Sequence, residues 1–83
     1  MNKVLVTLII PKLGYKYDVL IPLNRRVYNV IKLLVEGLEE LTHNEYNPSQ
    51  LPRLYDKISG KCCDINATIG ELGITNGTEL ILI

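Results

Sequence analysis

The sequence predicts an α+β domain, a mixed five-strand sheet in the order 2-1-5-3-4 packed on one helix. Three observations predict it. The strands nearest the two ends, KVLVTLII (3–10) and ELILI (79–83), are apolar on both faces, so both belong in the middle of a sheet. After the first comes a stretch that alternates strictly in and out, the pattern of a hairpin arm. A single segment, 25–41, then carries an apolar stripe at helical spacing.

Each element has its own local reason. In the first strand Val4, Val6, Leu8 and Ile10 share the face assigned to the core, while Lys3 and Thr7 mark the other. Pro11-Lys12-Leu13-Gly14 is a turn. In the second strand, 15–21, Tyr15, Tyr17, Val19 and Ile21 point in, Lys16 and Asp18 point out, and Pro22 ends the run. Asn24 is placed to cap the helix. Val27, Val30, Ile31, Leu34, Leu38 and Leu41 form its stripe, widened by Val35. Gly37 inside it costs about 1 kcal/mol relative to alanine, which weakens the last turn.

A polar loop, 42–50, follows, with turn chemistry at Asn47-Pro48-Ser49. Residues 51–57 form the third strand, with Pro52 confined to an edge or an unpaired position. A turn at Ile58-Ser59-Gly60 leads into a short fourth strand, 61–65. Thr68 caps a short helical turn at 69–72. Thr75-Asn76-Gly77-Thr78 is a tight corner, since Gly accepts positive φ freely and Asn tolerates it. The fifth strand closes the chain, parallel to the first, with the helix in the long crossover that parallel neighbours require.

Length and charge narrow the function. Eighty-three residues make one domain, 1–83. A chain of this size buries roughly 60–65% of its unfolded surface, enough for one modest core. Nine basic residues balance nine acidic ones. No electrostatic footprint for nucleic acid or an anionic membrane follows from that balance. No apolar run reaches the roughly 20 residues that span a bilayer, so no direct membrane insertion is expected. The apolar N-terminal run continues into a hairpin without a cleavage site, so it is read as a strand and not as a signal peptide.

The sequence offers no chemistry. Cys62 and Cys63 are adjacent, so in a strand they point to opposite faces; they are read as reduced thiols, one packed inward. No metal-ligand spacing is present, and no metal or cofactor is expected. His43 stands in a polar loop without a converging nucleophile or base. Glu36, Glu39 and Glu40 are a solvated helix face. Asn76-Gly77 lacks the glycine-rich strand-to-helix setting of a phosphate loop. Arg25 and Arg26 sit where the helix dipole disfavours cations; they are read as surface charge. An enzyme is not expected.

The order of elements resembles the β-grasp, or ubiquitin-like, fold over nearly the whole chain. The supporting residues are the KVLVTLII opening, the 25–41 helix, Leu54-Tyr55-Asp56-Lys57 with Gly60, and Thr68-Ile69-Gly70-Glu71-Leu72-Gly73-Ile74 followed by Asn76-Gly77 and Glu79-Leu80. Within that superfamily the chain is similar to the small bacterial ubiquitin-like proteins of the YukD/EsaB type, which accompany type VII protein secretion. Conjugated and sulfur-carrying relatives end in a flexible Gly-Gly tail. This sequence closes on Ile83 within a strand, and so it is expected to act without conjugation.

What remains is a surface. Leu80 and Leu82 face the helix, which turns Ile81 and Ile83 to the bare side of the sheet; Tyr55, Leu5, Ile9 and Leu20 fall on the same side. An uncovered apolar sheet face commonly marks a contact site. By resemblance, Tyr55 and Ile83 match positions from which ubiquitin builds its main recognition patch. The resemblance implies a non-conjugated, cytoplasmic adaptor or regulator acting by protein–protein contact, an accessory of type VII secretion with a secretion-machine component as partner. The alternative is a generic β-grasp interaction module unrelated to secretion. The bare face also allows a weak homodimer.

Overall fold

A computed structural model describes residues 2–83. Four strands and one α-helix are present: β1 (Lys3–Ile10), β2 (Tyr15–Pro22), α1 (Val27–Leu41), β3 (Leu54–Asp56) and β4 (Glu79–Leu82), with a 3₁₀ turn at Gly70–Leu72. The sheet order is β2-β1-β4-β3. β1 pairs antiparallel with β2 and parallel with β4, and β3 runs antiparallel to β4. The two strands expected at the centre are therefore neighbours there.

The expected five-strand sheet has four strands. The segment 61–65 makes only an isolated bridge, Tyr55 to Cys62, beyond the β3 edge. A turn opens at Asp64, whose carboxylate accepts the Asn66 N–H (2.9 Å) and whose carbonyl accepts the Ala67 N–H (3.1 Å). The chain leaves the sheet before a ladder can form. The third strand is likewise shorter than 51–57, although Arg53 and Ile83 still exchange backbone hydrogen bonds at 2.9 Å beyond its end.

The core is the face of the sheet against α1. Val4, Val6, Leu8 and Ile10 are buried, with Leu54, Leu80 and Leu82 from the strands beside them. Val27, Val30, Ile31 and Leu38 come down from the helix, while Leu34 is partly covered. Leu41, expected in this stripe, is exposed, because the last helical turn runs out over an apolar groove beside β2. Tyr15, expected inward, is exposed at the hairpin end, its ring 6.2 Å from that of Tyr17.

The helix starts at Val27, and Asn24 does not cap it: the N-cap is Arg26, without a side-chain bond. The free N–H groups find a distant partner instead. Val27 and Tyr28 donate to the carbonyls of Ala67 and Ile65, at 2.8 and 3.1 Å. Two residues on, Ile69 and Gly70 donate back to Arg25 and Leu23, at 3.0 and 2.9 Å. Gly70 lies so close that an added Cβ would meet the Leu23 carbonyl oxygen at 3.3 Å. The crossover is thus fastened to the helix start by these backbone bonds and by Arg26 Nη1, which donates to the Asn66 carbonyl at 2.5 Å, with Ile69 fully buried behind it.

At the other end His43 and Asn44 take positive φ (53° and 68°) and stop the helix. Thr42 Oγ1 accepts the Tyr46 N–H at 2.9 Å, and the chain folds Tyr46 back into the core. The loop expected to be purely polar therefore contributes a buried ring.

The corner joins the last strand to the first. Leu5 N–H donates to Asn76 Oδ1 and Gly77 N–H to the Leu5 carbonyl, both at 2.8 Å; Thr7 N–H then donates to the Thr78 carbonyl at 3.0 Å. Gly77 sits at φ +89°. Replacing it with alanine forces a Cβ into that conformation and is expected to cost about 1–2 kcal/mol. Urea unfolding checks this; an unchanged midpoint would show that the corner does not set the β1–β4 pairing.

Candidate functional site

Among the described residues no element packs on the sheet face away from α1. Its composition follows from register. Ile9 pairs with Lys16 on one side and Ile81 on the other, and Ile81 pairs with Tyr55. Lys16, Ile9, Ile81 and Tyr55 therefore lie in one row across the sheet. Ile9, Ile81 and Tyr55 are each partly exposed, and Ile83, one pair further along, is 65% exposed. Ile81, Ile83 and Tyr55 line a hollow of about 320 Å³ with Asp56, Lys57 and Gly60.

The next row is polar. Asp18 pairs with Thr7 and Thr7 with Glu79, while Lys57 donates its N–H to the Glu79 carbonyl. Side chains link the row in two halves, Thr7 Oγ1 to Asp18 Oδ1 at 3.2 Å and Lys57 Nζ to Glu79 Oε2 at 3.5 Å. Beyond it Leu5 pairs with Leu20, and both are exposed. The residues singled out from sequence do share this face, but they form two clusters. Ile9, Tyr55, Ile81 and Ile83 make one, Leu5 and Leu20 the other, with charged and hydroxyl side chains between. Alternation along each strand shows which face a residue takes; cross-strand register, which sequence does not carry, decides who stands beside whom.

One rim of the hollow is a hydrogen-bonded turn. Asp56 Oδ1 accepts the N–H groups of Ile58 and Ser59, at 2.9 and 3.0 Å, and its carbonyl accepts that of Gly60 at 2.8 Å. The turn holds Ile58 out in solvent, 84% exposed. Arg53, Lys57 and Lys16 supply cations around the apolar row.

Little titration chemistry accompanies this surface. Cys63 is buried and Cys62 exposed. Burial, then the neighbouring Cys62 and Asp56, push the Cys63 thiol up to about 11, which keeps it protonated and unreactive. Burial and the nearby Glu39 charge raise the Tyr46 phenol. No cluster of three metal-ligating side chains occurs among the described residues. No helix of the described residues is long and apolar enough to cross a membrane.

The comparisons bear on the fold. No protein-family model matches the sequence, and no curated protein matches it significantly. Solved structures do match. The chain is similar to the ubiquitin-like domain of the Mycobacterium tuberculosis type VII secretion system protein ECCD1, at TM-score 0.78 and 14% identity, covering 100% of this chain and 99% of that one. The fold is the ubiquitin-like β-grasp. Another ubiquitin-like match is the UBL domain of Plasmodium falciparum Dsk2, at TM-score 0.69 and 18% identity, covering 98% and 99% of the two chains. A chain of a toluene 4-monooxygenase HD complex matches at 0.78 and 16% identity, over 98% and 96%. The β-grasp alone thus fits proteins of unrelated roles, and the function must be argued from the surface.

One carboxylate in the crossover reports on the fold's integrity. Thr68 N–H donates to Glu71 Oε1 at 2.7 Å, and Glu71 N–H donates to Thr68 Oγ1 at 3.2 Å, a reciprocal cap. The Thr68 N–H, with help from its hydroxyl and the Arg26 charge, holds the Glu71 carboxyl below its ordinary 4.5. A lowered folded value means that the stabilisation is complete above 4.5 and is lost as pH falls through the folded value. Between about pH 6 and pH 3, wild type is expected to lose more of its urea midpoint than Glu71→Gln does. Equal losses would remove Glu71 from the account.

Proposed function

We propose that this chain is a non-enzymatic interaction module that binds a protein partner through Ile9, Tyr55, Ile81 and Ile83. The observation that carries the reading is the apolar row on the uncovered face, continuous across three strands, with Lys16 at one end, Asp56 and Lys57 beside Tyr55, and Arg53 paired to Ile83. Apolar anchors at the centre of a patch with charge at its rim are the usual anatomy of a contact surface. Leu5 and Leu20 stand outside this patch and contribute to a secondary one.

Likeness to the ECCD1 domain supports a finer reading, that of a cytoplasmic accessory or regulator of a type VII secretion machine, with a component of that machine as the partner. The monooxygenase likeness at the same TM-score favours a second reading, a β-grasp module serving a machine of another kind.

Substitution separates the clusters. Ile81→Asp is expected to lower retention of the partner by about tenfold or more in pull-downs from the native host. Leu20→Asp, across the polar row, is expected to change it by less than about threefold. Retention of a type VII component by wild type supports the secretion reading, and retention of another assembly supports the second. Equal loss from both variants, with both folded by circular dichroism, contradicts the proposed patch.

A further inference from the structure

β2 is the outer strand of the sheet, and among the described residues no other strand covers its far side. Its hydrogen-bonding phase follows from the β1–β2 register. Leu23 donates its N–H to the Asn2 carbonyl, so in this register alternate pairs, Val4–Ile21, Val6–Val19 and Leu8–Tyr17, are the bonded ones. Leu5 and Thr7 of β1 turn the other way, to the corner before β4. On β2 the backbone groups of Lys16 and Asp18 therefore point away from β1, toward the open edge. Such an edge is a template for another strand unless it is blocked. Here no proline or bulge interrupts it before Pro22.

The edge also carries a charge pattern. Lys16 and Asp18 are exposed on the same face of β2, one residue either side of Tyr17. Lys16 has no ion-pair partner among the described residues. On the helix side of the same edge lies an apolar groove of about 300 Å³, lined by Tyr17, Val19, Leu34, Leu33 and Leu41. Leu33 and Leu41 are 52% and 59% exposed.

We infer that the occupant of this edge is a second copy of the same chain, paired antiparallel through β2 about a twofold axis at Tyr17. Charge complementarity selects the copy and the register together. With the axis at Tyr17, Lys16 of each copy stands opposite Asp18 of the other, and the outward backbone groups of the same residues meet in bonded pairs. Moving the axis by one residue, which keeps those groups in phase, sets Lys16 against Lys16 or Asp18 against Asp18. Like charges directly opposite oppose pairing. The exposed ion pairs fix register more than they add affinity. Apolar contact comes from the other side of the seam. There the Tyr17 rings meet at the axis, and Leu33 and Leu41 of both helices lie along it. Two four-stranded sheets become one of eight strands, with both helices on one face. The Ile9–Ile81–Tyr55 rows lie on the opposite face, so each dimer presents two of them.

Charge swaps test this while leaving Ile9, Ile81 and Tyr55 in place; Lys16 ends their row, so the Asp18→Lys arm is the one that leaves the row whole. Lys16→Asp places carboxylates opposite carboxylates at both pairs, and Asp18→Lys places ammonium groups opposite ammonium groups. By sedimentation equilibrium over about 10 μM to 1 mM, wild type is expected to dimerise reversibly. Each variant alone is expected to weaken association by about tenfold or more. An equimolar mixture of the two variants restores it, because each lysine then faces an aspartate. Circular dichroism confirms that both variants fold. A wild type that stays monomeric throughout, variants that associate like wild type, or a mixture no tighter than its parts would each overturn the inference. Ile81→Asp is expected to dimerise normally, so loss of partner binding and loss of the dimer are read independently.

Discussion

The parallel pairing of β1 with β4 is the constraint from which the rest of the architecture follows. The two strands lie far apart in sequence, and their pairing closes most of the chain into one long crossover. The corner makes that closure specific. Asn76 and Gly77 grip both backbone groups of Leu5, and Thr78 takes the N–H of Thr7. That contact sets Ile9 opposite Ile81, and with it the row that Tyr55 completes. Gly77 serves because its positive φ brings its own N–H to the Leu5 carbonyl. A shift of register by one residue would turn Leu80 and Leu82 outward and Ile81 inward, exchanging core for surface.

The closure also explains why one face of the sheet is bare. With a single helix in the crossover, only one side of two doubly apolar strands can be covered. Ile9 and Ile81 are therefore left on the other side, half-buried by their neighbours. The polar row of Asp18, Thr7, Glu79 and Lys57 divides what would otherwise be a continuous apolar sheet face. Such a division limits indiscriminate association while leaving a compact patch at one end. The β2 edge is a separate feature with a separate logic, backbone pairing guided by alternating charge.

Much of this was legible from residue pattern. Doubly apolar strands at 3–10 and 79–83 led to the central parallel pair, and Lys3 and Thr7 on one face of KVLVTLII led to Val4, Val6, Leu8 and Ile10 on the other as core. The errors share a cause: each turned on a hydrogen bond that apolar periodicity does not announce. Asn24 looks like a cap locally, but the carbonyls of Ile65 and Ala67 satisfy the helix. KCCDI reads as a strand, but Asp64 begins a turn that ends the pairing. Tyr46 stands in a polar stretch, and the Thr42 bond that folds it inward has no apolar periodicity to announce it. Within the site, strand alternation identified the face and the residues on it. The split into two clusters depended on register, and the apolar groove beside β2 on how far α1 overhangs the sheet edge.

The claim that matters most is that the Tyr55 end of the bare face is where a partner sits. Photo-crosslinking in the native host tests it directly. A photoreactive residue replaces Tyr55, with Lys32 on the outer side of α1 as the comparison position, and adducts are identified by mass spectrometry. The account predicts capture of one dominant protein from position 55, a secretion-machine component on the finer reading, and none of it from position 32. Equal capture from both positions, or only scattered unrelated proteins from position 55, would contradict it.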